Sequence, residues 1–290
     1  MFRTRILSGI VVISITLCLG LLGGWYFTLM IGVLVFLAQQ EYFNLVRAKG
    51  IEPATKITMV VSQALILASY VGPDFAEPIF AVSGTFICFY LLFQPKLASI
   101  ADISSSILGL FYCGFLPGYW VRLRGLGGAE YHNLPLEGYF PWPWQGMASL
   151  PQGLLVLLLA IACVAASDIV AYFLGKLIGR TRLSEISPKK TVEGAVSGFG
   201  ASVMVGGIGA IALQWPLAPL SGGVLGLFVG ITSLLGDLTE SIMKRDAGVK
   251  DSGQLIPGHG GILDRMDSYV FTAPLVYYFV TLVLPFLETL

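Results

Sequence analysis

Asp237, Glu240, Ser241 and Lys244 stand at i, i+3, i+4 and i+7, on one face of a helix. Asp237 therefore lies about 10 Å deeper along that helix than Lys244. Asp264 and Asp267 form a second i, i+3 pair, with Arg265 between them. Between the two acidic groups runs Pro257-Gly258-His259-Gly260-Gly261, a tight turn whose backbone N–H groups can approach an anion closely. Carboxylates for a divalent cation, with Lys244, Arg245 and Lys250 beside them and backbone donors nearby, are the parts of a nucleotide-phosphate site. An ordinary cytoplasmic loop rich in Lys and Arg is the competing reading. A solvated loop, however, has no use for a carboxylate as deep as Asp237.

The elements that must hold these residues are apolar. The chain has 290 residues, of which 56% are hydrophobic and 12% charged. Its mean hydropathy is +0.81, and soluble domains are only about 45–50% apolar even with glycine counted. Apolar runs predict an all-α, polytopic membrane protein with about nine transmembrane helices. These fall near 6–22, 24–44, 57–71, 79–94, 107–125, 154–178, 199–215, 222–242 and 268–288. With the N-terminus cytoplasmic, fifteen of the seventeen Lys and Arg residues fall on the cytoplasmic side, and only Arg122 and Arg124 do not. The charged stretch then faces the cytoplasm, as expected for a bacterial-type inner-membrane protein. The zero net charge argues against nucleic acid as a partner. The four cysteines lie far apart in apolar runs and read as small hydrophobes.

A second group lies on the span near 154–178. Asp168, Tyr172, Lys176 and Gly179 share a helical face, and an Asp in an apolar run must face a cavity or pair with a cation. A structural salt bridge is an equal reading. Next comes Ser187-Pro188-Lys189-Lys190-Thr191-Val192-Glu193-Gly194, in which two lysines and two hydroxyls can cradle a triphosphate or simply mark topology.

These residues carry a resemblance. Ser241, Lys244, Arg245, Lys250, Asp251, Gly253, Pro257, His259, Gly260, Gly261, Asp264, Arg265 and Asp267 match the signature of the phosphatidate cytidylyltransferase (CDP-diacylglycerol synthase) family. The Asp–Ala–Tyr–Gly–Gly arrangement from Asp168 and the Ser187–Gly194 run are similar to its second conserved region. Val192 stands where many members carry an aromatic residue.

The resemblance implies a nucleotidyltransferase of phospholipid biosynthesis that makes CDP-diacylglycerol and pyrophosphate from CTP and phosphatidate. On that reading Asp237, Asp264 and Asp267 hold one or two Mg²⁺ ions, with Mn²⁺ a substitute. Lys189, Lys190, Lys244, Arg245 and Lys250 neutralise the triphosphate and phosphatidate. Asp168, Ser187, Thr191, Gly260, Gly261 and Arg265 complete the substrate contacts. His259 is a hydrogen-bond donor or turn residue more than a base. The site must open both to the cytoplasm and to membrane lipid.

The whole chain is expected to be a single membrane domain. Residues 1–126 pack, support and oligomerise, as a homodimer, and offer no candidate site. Glu41 and Asp102 read as solvated carboxylates at helix ends. Residues 154–290 supply the catalytic helices and loops. Tyr139, Phe140, Trp142 and Trp144, among the prolines of the long outer loop, suit the lipid headgroup belt. A cation-coupled transporter is the alternative from another class, since it too places carboxylates on inner helices. A CDP-alcohol phosphotransferase lacks support, because no Asp-Gly-x-x-Ala-Arg run is present. A noncatalytic assembly protein would leave Asp237 unexplained.

Overall fold

The computed structural model describes residues 2–127, 132–144, 146–256 and 260–289. Among these, regular structure is helical: α1 (Phe2–Leu22), α2 (Gly24–Ala48), α3 (Thr55–Val71), α4 (Ala76–Leu92), α5 (Ile100–Leu108), α6 (Gly118–Arg124), α7 (Gln152–Ile178), α8 (Val192–Ala212), α9 (Leu220–Asp246), α10 (Leu263–Val270), α11 (Thr272–Tyr278) and α12 (Leu284–Glu288). Counting helical stretches that run on through short breaks, seven among the described residues are long and apolar enough to cross a membrane. Two shorter apolar helices, Gly9–Leu22 and Thr55–Val71, stand where the first and third spans were expected. The protein is an all-α, polytopic membrane protein.

Helix ends differ from the apolar runs for a simple reason. Apolar content marks the thickness of hydrocarbon, whereas a helix continues until its backbone hydrogen bonds are capped. Thus α8 starts at Val192, because the Thr191 hydroxyl accepts from Gly194 N at 3.2 Å. Likewise α5 starts at Ile100, where Ser99 and Asp102 form a reciprocal cap. Asp102 is at a helix end as expected, but it accepts from Ser99 and from Glu52 N (2.6 Å) rather than only from water.

By packing, the chain divides into two compact units: residues 1–154 with 243–266, and residues 155–242 with 267–290. The boundary cuts through the charged stretch, so residues 243–266 belong with the N-terminal helices.

In the first unit α2 buries Phe27, Ile31, Val35, Ala38, Tyr42 and Phe43, a run at helical spacing. Gln39, fully buried on the same helix, donates to Ser62 Oγ (2.8 Å) and to the Gly109 carbonyl (3.1 Å). Gly109 opens a π-helical segment, Gly109–Phe115, between α5 and α6. Such a segment shifts its backbone bonds by one residue, and Gln39 donates to the carbonyl at its start.

Arg122 and Arg124, the two exceptions to the charge pattern, are buried. Arg124 donates to the Gly20 and Leu21 carbonyls at the end of α1, both at 2.7 Å, and Arg122 pairs with Glu77 at 2.6 Å. In the loop between α6 and α7, where a headgroup belt was expected, Trp142 and Trp144 are exposed. Tyr139 differs from them. It is buried, and its hydroxyl donates to the Ser149 carbonyl.

Glu41 corrects the sequence reading outright. Helix α2 runs on to Ala48, so Glu41 lies two turns inside it, buried at 8% exposure.

In the second unit the glycine-rich spans do what small residues do in lipid. A side chain on Gly206 of α8 would collide with the Gly222 carbonyl of α9, and one on Gly222 with Gly206. The far end of α9 meets α10 and α11 as closely: Gly236 presses on the Asp267 carbonyl, and the Thr232 and Thr272 hydroxyls are 3.2 Å apart.

Candidate active site

The signature residues gather in two places, one in each unit. In the second unit, α9 carries Asp237 and the segment before α8 carries the paired lysines. That segment is closed by its own backbone: Leu183 N donates to the Lys190 carbonyl (2.9 Å) and Val192 N to the Thr181 carbonyl (3.0 Å). Glu193 accepts from Arg180 N and Thr181 N, both at 3.1 Å. Ser187 accepts Lys190 N through its carbonyl, and Thr191 sits against Gly175 and Gly179 of α7. A loop held this way presents its side chains from a rigid base. Lys189 is exposed, and the Lys190 ammonium is 2.5 Å from Asp237 Oδ2. The other oxygen of Asp237 accepts from Ser241 at 3.3 Å.

Asp168 on α7 accepts from Ser233 of α9 at 3.2 Å and also bonds to Ser268 of α10, so its partners in this unit come from neighbouring helices. Asp267 is buried, and its Oδ1 accepts from Ser268 N at 2.7 Å.

In the first unit the signature folds around a different carboxylate. Lys244, in the last turn of α9, pairs with Asp264 Oδ1 at 2.5 Å, and both side chains are nearly buried (11% and 7% exposed). Asp264 Oδ2 accepts from Ser252 N (3.1 Å), Ser252 Oγ (3.0 Å) and Gly261 N (2.8 Å). The amides of Ile262 and Leu263 donate to Glu41, at 3.0 and 2.9 Å. Of the turn whose amides were expected to approach an anion, Gly261 N is thus directed at the protein's own Asp264, as the neighbouring amides of Ser252, Ile262 and Leu263 are at Asp264 and Glu41. Gly260 has φ +87°, a conformation that suits glycine. Arg245 and Lys250 are exposed, with Arg245 donating to the Val249 carbonyl, and Arg265 is exposed on α10. His259, with Pro257 and Gly258, lies outside the described residues.

Sequence reasoning missed Glu41 and Ser252. The signal for Glu41 was present: Gln39-Gln40-Glu41 is a polar run inside an apolar span, the same criterion that singled out Asp168 and Asp237. Ser252 had none, since a serine in a charged loop is ordinary.

The cytidylyltransferase family model matches residues 3–283 of the sequence. The chain belongs to the cytidylyltransferase family. A phosphatidate cytidylyltransferase of Synechocystis sp. is 60% identical over 289 residues, covering 99% of both chains. The chloroplastic phosphatidate cytidylyltransferase 4 of Arabidopsis thaliana is 40% identical, over 96% of this chain and 73% of that one. The phosphatidate cytidylyltransferase of Bacillus subtilis is 29% identical, over 97% and 98%. Membership of the cytidylyltransferase family extends the likeness to the N-terminal helices, where the motifs alone are silent. It leaves the transporter alternative without support.

Proposed function

We propose that the chain transfers the cytidylyl group of CTP to phosphatidate. A phosphate oxygen of phosphatidate forms a bond to the α-phosphorus of CTP, the α–β bridging bond breaks, and pyrophosphate leaves. The nucleophile is a phosphate monoester with a second pKa of about 6, so it is already anionic near neutral pH and needs no strong general base. What the protein must supply is position and positive charge. Lys190 supplies charge from a closed loop, with Lys189, Arg245, Lys250 and Arg265 exposed for the phosphates. The observation that carries the reading is the Lys190–Asp237 pair, an ammonium and a carboxylate in contact in a chain of this family.

The carboxylates suit Mg²⁺, with Mn²⁺ as a substitute. Among the described residues no three His, Cys, Asp or Glu side chains form a ready cage. Mg²⁺ does not require one, because it is commonly held by one or two carboxylates with substrate phosphate and water completing its shell. Asp237, Asp264 and Asp267 are the proposed ligands. Asp237 is the foremost, because Asp264 is already engaged by Lys244, Ser252 and Gly261. The ion would neutralise charge on the phosphates. In this reading the protein spans the inner membrane nine times as a homodimer, with the N-terminus and the site on the cytoplasmic side.

Purified protein given phosphatidate in detergent should form CDP-diacylglycerol only when CTP is present. Absence of CDP-lipid under those conditions, from folded protein with Mg²⁺, would refute the assignment.

A further inference from the structure

Helix α10 begins without a local cap. The residues before Leu263 are Gly260-Gly261-Ile262, none of which has a side-chain acceptor for the free amides of a first turn. Glu41 of α2 supplies the acceptor from more than two hundred positions away. Its Oε1 takes Ile262 N at 3.0 Å, and its Oε2 takes Leu263 N and Ser252 Oγ, both at 2.9 Å. A carboxylate is favoured at a helix N-terminus, and here each oxygen meets a backbone donor.

The same contact accounts for two signature glycines. A Cβ on Gly253 would collide with the Glu41 carboxylate, and one on Gly261 would collide with Glu41 and Ser252. Neither glycine has a positive φ, so the close approach of Glu41, and not backbone conformation, excludes a side chain there. Ser252 links the two carboxylates. Its hydroxyl lies 2.9 Å from Glu41 and 3.0 Å from Asp264, and its one proton can serve only one of them at a time.

We propose that Glu41 is a positioning residue for the reaction: from α2 it caps α10 and holds Gly253 and Gly261, and so sets Asp264 and Arg265. This rests on the cytidylyltransferase reading. A glutamine cannot replace it, because its amide nitrogen would face one of the two backbone donors.

The test uses full-length purified protein. In Glu41→Gln, kcat should fall at least tenfold, with KM for CTP and phosphatidate within threefold of wild type and a thermal midpoint close to wild type. Hydrogen exchange at Ile262 and Leu263 should quicken at least tenfold, while α7 and α8 exchange as before. Glu52→Gln, which removes an exposed partner of Lys96, should change neither readout.

Gly253→Ala serves as a second variant that tests the same contact. It should cost at least tenfold in kcat in the wild-type chain but under twofold in a Glu41→Ala background, where the space is free. Unchanged exchange at Ile262 and Leu263 in Glu41→Gln, or equal cost of Gly253→Ala in both backgrounds, overturns the proposal. A lower thermal midpoint with wild-type kcat also overturns it, by making Glu41 structural only. Exchange needs no turnover, so a wild-type chain that made no CDP-lipid would defeat the cytidylyltransferase reading without touching this measurement.

Discussion

Two lysine–aspartate pairs of equal length, Lys190–Asp237 and Lys244–Asp264, differ in their burial and in the donors their carboxylates receive. Both are 2.5 Å apart. The second is nearly buried, and its carboxylate also receives Ser252 and Gly261, so it ties the end of α9 to the start of α10. The first has side chains 24% and 36% exposed, and Asp237 has one long additional bond, to Ser241. A carboxylate saturated by protein donors is a fixture. On the proposed reading, one paired with a half-buried ammonium and few other donors exchanges that partner for a cation while the ammonium turns to phosphate. The difference lies in burial and donor count, since the residue types are the same.

Removing the metal should have the largest effect on this comparison. With only hard oxygen ligands proposed, excess EDTA should abolish CDP-lipid formation, and Mg²⁺ or Mn²⁺ should restore it. Full turnover in the chelator would remove the ion from the site altogether. Next in size is Asp237→Asn, which keeps the shape and deletes the charge. Activity should fall at least a hundredfold, about 2.7 kcal/mol of transition-state stabilisation, in protein that remains folded, with partial recovery at high Mg²⁺. A wild-type rate would move the ion to other carboxylates.

The two lysines then separate the roles directly. Lys190→Ala should lower kcat/KM for CTP ten- to a hundredfold, roughly 1.4–2.7 kcal/mol, and leave the thermal midpoint nearly unchanged. Lys244→Ala should act first on stability. Stranding a buried carboxylate typically costs about 3–5 kcal/mol, less whatever the remaining donors to Asp264 retain. If Lys190→Ala melted early and Lys244→Ala did not, the fixture and the exchangeable pair would have been assigned the wrong way round. The smallest expected change is in Lys189→Ala. This lysine is exposed, and about a tenfold loss in kcat/KM for CTP with normal membrane insertion would place it on phosphate.

The sequence by itself determined the class of the molecule and its family. Long apolar runs cannot stay in water, and in lipid a backbone must satisfy itself as helix, so an all-α membrane protein followed from composition and run length. The signature from Ser241 to Asp267 identified the family because its chemistry is local, written in residues close together along the chain. The tertiary structure alone decided partners. Which lysine meets which aspartate, why Gly253 and Gly261 bear no side chain, and what caps α10 all depend on residues far apart in sequence. Glu41 is 211 positions from Ser252 and 222 from Leu263. Hydrophobic periodicity reports the face a residue occupies within its own helix. It carries no information about which distant backbone amide arrives there, because that is set by packing, and packing is a property of the whole unit.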